Sequence, residues 1–217
     1  MLARAAVAAL GLVIATDLFA LWADYDMYEV TGHIADGRLE GAVRASADRA
    51  DRLYSSAGIV QTIALVVCIV VYLFWFSRVR INAEVFRPDG HSKSRGWVIG
   101  SWFTPVVNLW YPRRIMLDIW DASSPGVPWG PPRPHGLVTT WWTLWLVSLA
   151  AGRAGYQAYR KADTAEEIHA AVAQVMFADA VDVVAAVLAI LVVLRLTRMQ
   201  HEKALRGPET EPASVTV

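Results

Sequence analysis

The stretch Leu10-Gly-Leu-Val-Ile-Ala-Thr-Asp17-Leu-Phe-Ala-Leu-Trp22 is suited to a lipid bilayer except for the carboxylate near its centre. An ionisable group in a membrane helix costs ~2.5–3.5 kcal/mol on insertion scales unless it faces a partner or a cavity. Asp17 is therefore read as a site residue, and residues 5–23 around it as a membrane span. A basic residue, Arg4, before an apolar run is also how a secretory signal begins. Leu21 and Trp22 stand where a small-x-small cleavage site would be needed, so an anchor is expected.

Composition agrees with a lipid solvent. Of 217 residues 55% are hydrophobic, ten are Trp and only 18% are charged, which is not the balance of a soluble globule. A net charge of zero argues against nucleic acid as a partner, because binding its backbone requires a basic excess. Cys68 is the sole cysteine and excludes an internal disulfide, a thiolate zinc site and a CxxC pair. Lying in an apolar run, it reads as a small buried hydrophobe.

Besides 5–23, three runs approach the ~20 residues that cross a bilayer: 57–76, 137–156 and 175–194. A shorter apolar stretch, 97–112, carries Pro105 centrally. Arg78, Arg80, Arg87, Lys93, Arg95, Arg113, Arg114 and Arg133 crowd the connection between spans two and three, and Arg195, Arg198, Lys203 and Arg206 follow span four. The other two connections are rich in acids, including Asp24, Asp26, Glu29, Asp163, Glu166 and Glu167. The positive-inside rule then puts both termini in the cytoplasm of a cell carrying this protein in its plasma membrane.

The expected fold is all-α: an integral membrane four-helix bundle, N-in and C-in, forming one domain over residues 1–206 with a disordered tail at 207–217. Between spans two and three, residues 97–121 form a Pro-broken re-entrant or interfacial segment. Its second half, with Ile115, Met116, Ile119 and Trp120 set against Asp118 and Asp121, has the pattern of a helix lying at a membrane surface. Glu40, Arg44, Asp48 and Arg52 recur every four residues and predict an exposed helix running on into span two. Thr164-x-x-Glu167 predicts a capping box that starts span four outside the membrane, near Ala165. The Pro-rich stretch from Ser124 to Pro134 reads as a stiff linker.

Asp179 and Asp182 share a face of span four, which continues through the small residues Ala186 and Ala189. Asp182 should point inward at the depth of Asp17, while Asp179, nearer the surface, is read as solvated. Arg153, near the outer end of span three, is the expected partner if the acids form a buried ion pair. Gln61 and Tyr72 fall on one face of span two, and Trp142 and Trp145 lie deep in span three, where aromatic faces stabilise positive charge. Trp22 at one boundary and Trp75, Trp97, Trp102, Trp110, Trp120 and Trp129 at the other read as aromatic belts. No Asp-Asp-x-x-Asp, glycine-rich phosphate loop or His-Glu-x-x-His is present, so no metal or other cofactor is expected. His169 beside Glu166 reads as part of a solvated face.

The segment Phe103-Thr-Pro105-Val-Val-Asn108-Leu109-Trp-Tyr-Pro112, followed by Ile119-Trp120, resembles the signature of an actinobacterial membrane family known as domain of unknown function 4328. The resemblance runs from about span one to span four and implies a membrane protein with a structurally special Pro/Asn segment. There Asn108 is expected to satisfy the carbonyls freed by Pro105 and Pro112, or to contact a headgroup. In size, hydrophobicity and its mix of acids with deep aromatics, the chain also looks like small membrane-bound terpenoid cyclases. That likeness implies acid-initiated cyclisation or isomerisation of a prenyl substrate, with Asp17 or Asp182 as acid and Tyr72, Trp142 and Trp145 shielding the cation. Gln61, Arg153 and Asn108 complete the expected substrate-binding set. Two alternatives stand beside it: a non-catalytic assembly, sensing or regulatory protein, and a proton-coupled transporter component. The expected partners are a membrane lipid or lipophilic small molecule, a second copy of the chain, or another membrane protein.

Overall fold

The computed structural model describes residues 1–38, 41–124 and 134–206, apart from the side chains of 42–44. Glu40 and the side chain of Arg44, the Pro-rich linker with Trp129 and Arg133, and the 207–217 tail lie outside the described residues, while the helix expected to run on through Asp48 and Arg52 into span two is present.

The described chain is helical: α1 (Leu2–Ala35), α2 (Gly41–Phe86), α3 (Trp97–Phe103), α4 (Tyr111–Ser123), α5 (Gly136–Lys161) and α6 (Ala165–Arg206), with one 3-10 turn at Val107–Leu109. The long helices contain no internal proline, and punctuation falls where the chain offers it. Past the end of α1, Gly37 takes a φ of 79°, the left-handed conformation that closes a helix and that glycine adopts without steric cost. Before α6, Glu167 N donates to Thr164 Oγ1 at 3.2 Å while Thr164 N and Asp163 N donate to Glu167 Oε2 at 3.3 and 2.8 Å. This is the capping box that the sequence predicts.

Helices α1, α2 and α6 are long and apolar enough to cross a bilayer, and on that ground the chain is a membrane protein. Helix α5 has 26 residues, ample length, but its threonines, glycines and tryptophans lower its hydropathy. Residues 97–112 are not one helix. Seven-residue α3 rises only ~10 Å and cannot cross.

The chain divides into two compact units. The first comprises Met1–Trp75 and His135–Val193. In it α2 turns Ala57, Ala64, Cys68, Tyr72 and Trp75 inward and exposes Ile59, Ile63, Val66, Val70 and Phe74, a surface suited to lipid. Small residues bring the helices close, Ala20 and Ala23 of α1 packing with Ala57 of α2. Near the end of α5, a Cβ on Gly155 would lie 2.9 Å from Val175 Cγ2 and 3.1 Å from Val175 N. The ring of His169 stacks on Tyr28 at 3.8 Å, and its Nδ1 lies 2.9 Å from Tyr28 O. His169 is thus a packing residue of α6 against α1 and not part of a solvated face.

The second unit comprises Phe76–Pro134 and Leu194–Val217. Here α4 departs from expectation: Ile115, Met116, Ile119 and Trp120 are buried in protein, so its apolar face is not presented to a membrane surface. Trp75 and Trp120 are likewise buried, whereas Trp22 and Trp110 are exposed as belt residues would be. Charge in this unit is neutralised locally. Buried Arg80 meets Glu84 at 2.6 Å and donates to Lys93 O, Arg95 also pairs with Glu84, and Asp118 Oδ2 accepts from Ser92 N and Oγ at 2.9 and 2.6 Å. Gln200 joins three elements, donating to Val79 O and Ser123 Oγ and accepting from Asn82.

Between α3 and the 3-10 turn, Val107 N donates to Pro105 O at 2.8 Å, and Val106 between them sits at φ 68°, ψ −51°. This is a γ-turn of the positive-φ kind, a conformation that costs a β-branched residue about 1–3 kcal/mol. Main-chain bonds hold it, with Asn108 N donating to Thr104 O, Leu109 N to Val106 O and Trp110 N to Val107 O. The expectation that the Asn108 side chain ties the segment is corrected: no bond from its amide is found among the described residues, because the turn closes on its own backbone.

Two outcomes are expected. Gly155→Ala should destabilise the protein by about 1–3 kcal/mol relative to Gly152→Ala in detergent unfolding, since a Cβ at Gly152 meets only Ala178 Cβ, at 3.6 Å. The second concerns His91, whose pKa burial and then Arg80 push below its ordinary 6.5. Protonation therefore favours the unfolded chain, and stability present above 6.5 is lost as pH falls below it. His91→Asn should flatten that part of the pH–stability curve.

Candidate functional site

Four carboxyls and one amide form a continuous polar chain inside the first unit. Asp17 and Asp24 lie seven residues apart on α1 and both are buried, with 4% and 2% of their surface exposed. Asp179 and Asp182 come from α6 and are half-buried. Gln61, on the inward face of α2, donates from its Nε2 to Asp17 Oδ1 at 3.0 Å and to Asp179 Oδ2 at 3.1 Å. An amide nitrogen carries two hydrogens, and both are used.

The carboxyls also meet one another. Asp17 neighbours Asp182, and Asp24 neighbours Asp179. Among the described residues no N–H or hydroxyl reaches the buried Oδ2 of Asp17 or of Asp24. At the inner end, Ser148 Oγ of α5 is 2.7 Å from Asp182 Oδ1 and 2.9 Å from Trp145 O. The order is Asp24, Asp179, Gln61, Asp17, Asp182, Ser148, with all four long helices contributing.

Beyond Ser148 the surroundings are aromatic. Tyr72 lies 5.2 Å from Trp75 and 6.2 Å from Trp141, Trp141 is 5.6 Å from Trp142, and Trp142 is 4.8 Å from Trp145, measured between ring centres. These rings fill space against each other. Among the described residues no three His, Cys, Asp or Glu side chains are disposed to hold a metal ion.

The structure therefore brings Asp17, Asp182 and Gln61 together, and places Tyr72, Trp142 and Trp145 in a neighbouring stack. Arg153 is elsewhere: it is exposed, and among the described residues it makes no ion pair with an acid. Its helical position turns it away from α6, so the expected acid–arginine pair does not form. Asn108 belongs to the second unit and is no part of this chain. Asp179 is corrected from a solvated residue to a link in the ladder, because the Gln61 amide and Asp24 enclose it. Asp24 and Ser148 were not singled out from sequence. The seven-residue spacing of Asp17 and Asp24, two full turns on one face, was the available signal for the first. Nothing in the sequence distinguishes Ser148 from other small polar residues of α5.

Fold and site define an all-helical membrane protein with buried carboxyls linked across its helices. Residues 40–198 match the model of the family Domain of unknown function (DUF4328), and the chain belongs to that family. The match covers α2 through most of α6, so Gln61, Ser148, Asp179 and Asp182 fall within it, whereas Asp17 and Asp24 precede it. No curated protein and no solved structure matches the chain.

Removing the central donor tests the geometry. Gln61→Leu should cost about 1–3 kcal/mol by stranding buried carboxyl oxygens. Gln61→Glu should be comparably harmful, and adding Asp17→Asn to it should recover much of the loss by returning an amide donor to the contact; a double-mutant cycle in detergent unfolding measures the coupling.

Proposed function

We propose that the protein is a proton-responsive membrane protein of the sensing or regulatory kind, in which the carboxyl ladder holds protons and sets how α1 packs against α6. The observation that carries this is the Gln61 amide bridging Asp17 of α1 and Asp179 of α6, with Asp24 and Asp182 beside them and no cation in the group among the described residues. Carboxylates gathered in one dry site repel, and a proton held by one of them relieves that repulsion. Ser148 extends the group to α5. Its hydroxyl donates to Asp182 Oδ1 and also lies 2.9 Å from Trp145 O, tying α5 to the acids of α6. Loss of a proton from either pair leaves like charges facing across the α1–α6 contact, which drives those helices apart.

In this reading the chain crosses the plasma membrane four times, α5 being the remaining span, with both termini and the basic 77–114 stretch in the cytoplasm. Asp24 then lies toward the outer boundary, where external protons enter, and Asp182 lies deeper.

Acid-initiated chemistry on a lipophilic substrate is the second reading, favoured by the proximity of Asp182 to the Trp142–Trp145 stack through Ser148. It requires those rings to part around a substrate. Infrared spectra of the full-length protein in bilayers separate these possibilities from a structural role. The carboxylic C=O band of the wild type should diminish on raising the pH and be reduced in Asp182→Asn, with a parallel change in α1–α6 distance reported by spin labels. Absence of any protonated-carboxyl band would sink both readings. A prenyl compound accumulating in cells that lack the protein, and still accumulating when Asp182→Asn is supplied, would select the enzymatic one.

A further inference from the structure

We propose that the turn between α3 and α4 is a lipid anchor, its apolar tip entering the membrane leaflet beside the basic stretch of the chain. The proposal rests on the chain being a membrane protein and is independent of what the carboxyl ladder does. Phe103 and Val106 are 65% and 64% exposed, and Leu109 and Trp110 are about half exposed, so one short turn presents four large apolar side chains to its surroundings. α4 shows that this is selective, since its own apolar residues are buried in protein.

Most of the tip's backbone meets its own hydrogen-bonding demand. An unsatisfied N–H in hydrocarbon is prohibitive, and irregular backbone there must meet its own hydrogen-bonding demand. The amides of Thr104, Val107, Asn108, Leu109 and Trp110 all bond carbonyls of the same segment, the Thr104 hydroxyl bonds Gly100 O, and Pro105 has no amide to satisfy; Val106 N, with no partner among the described residues, sets the tip at the headgroup level, within reach of water. Val106 gives the second argument. At its positive φ a glycine would relieve the strain, yet the position holds an exposed β-branched side chain, which water gives no reason to keep.

Charge selects the occupant. Residues 77–114 contain seven Lys or Arg against two acids, Glu84 and Asp89; Arg80 and Arg95 pair with Glu84 and Arg114 with Asp118, while Arg78 and Arg87 are exposed. A flank of this kind suits anionic headgroup phosphates, with Trp110 at the depth where interfacial aromatics sit.

The test uses the full chain in nanodiscs containing anionic phospholipid, with Cys68→Ser as background and an environment-sensitive fluorophore attached at Val106→Cys or, for comparison, Asp89→Cys. The Val106 probe should emit at shorter wavelength, be quenched by acyl-chain nitroxides, and be quenched by aqueous iodide several-fold less than the Asp89 probe. Equal iodide quenching at the two sites would overturn the proposal. A Val106 probe shielded from both quenchers, with cross-linking between copies through this residue, would also overturn it by assigning the tip to a protein contact.

Discussion

The two hydrogens of the Gln61 amide hold together groups that would otherwise not share a membrane interior. One goes to Asp17 of α1 and the other to Asp179 of α6, so a single side chain of α2 bridges its two acidic neighbours. The amide brings no charge of its own, and Arg153 is not there to supply one. The acids are gathered without a counter-ion among the described residues, and the alanines and glycines that let these helices approach, Ala20, Ala23, Ala57 and Gly155 among them, serve that closeness.

The second unit handles buried charge in the opposite way. Arg80 is enclosed with Glu84, Arg95 reaches the same carboxylate, and Asp118 is satisfied by Ser92. Each ion there has a counter-ion or several donors, which is the condition for a stable buried charge. A network so neutralised fixes structure. Carboxyls gathered without a counter-ion are the arrangement from which the proposed proton response follows.

Much of the site was legible. Asp17 stood out because it interrupts lipid-compatible sequence, Asp182 because its three-residue spacing from Asp179 and the alanines below it mark an inward face, and Gln61 because it falls on the face of Cys68 and Tyr72. The assignments that failed share one cause. Arg153 sits at a plausible depth, but its helix turns it outward; Asp179 looked solvated, but α1 and α2 cover it; α4 looked like a surface helix, but protein occupies its apolar side. Depth follows from residue count, whereas azimuth and cover depend on what the other helices do.

By itself the sequence determined that the chain is helical, that it belongs in a membrane, where its caps and breaks fall, and which acids interrupt apolar runs, because these follow from hydropathy, helical periodicity and the chemistry of Gly, Pro and Thr-x-x-Glu. Only the tertiary structure decided which acids touch, that a glutamine rather than an arginine joins them, and that Val106 is held in a strained exposed turn. Those properties arise between segments more than 40 residues apart or from backbone torsions, as with Gln61 and Asp17 at a separation of 44 and Gln61 and Asp179 at 118. No local pattern encodes such contacts, since they exist only once the packing of four helices has selected one set of faces.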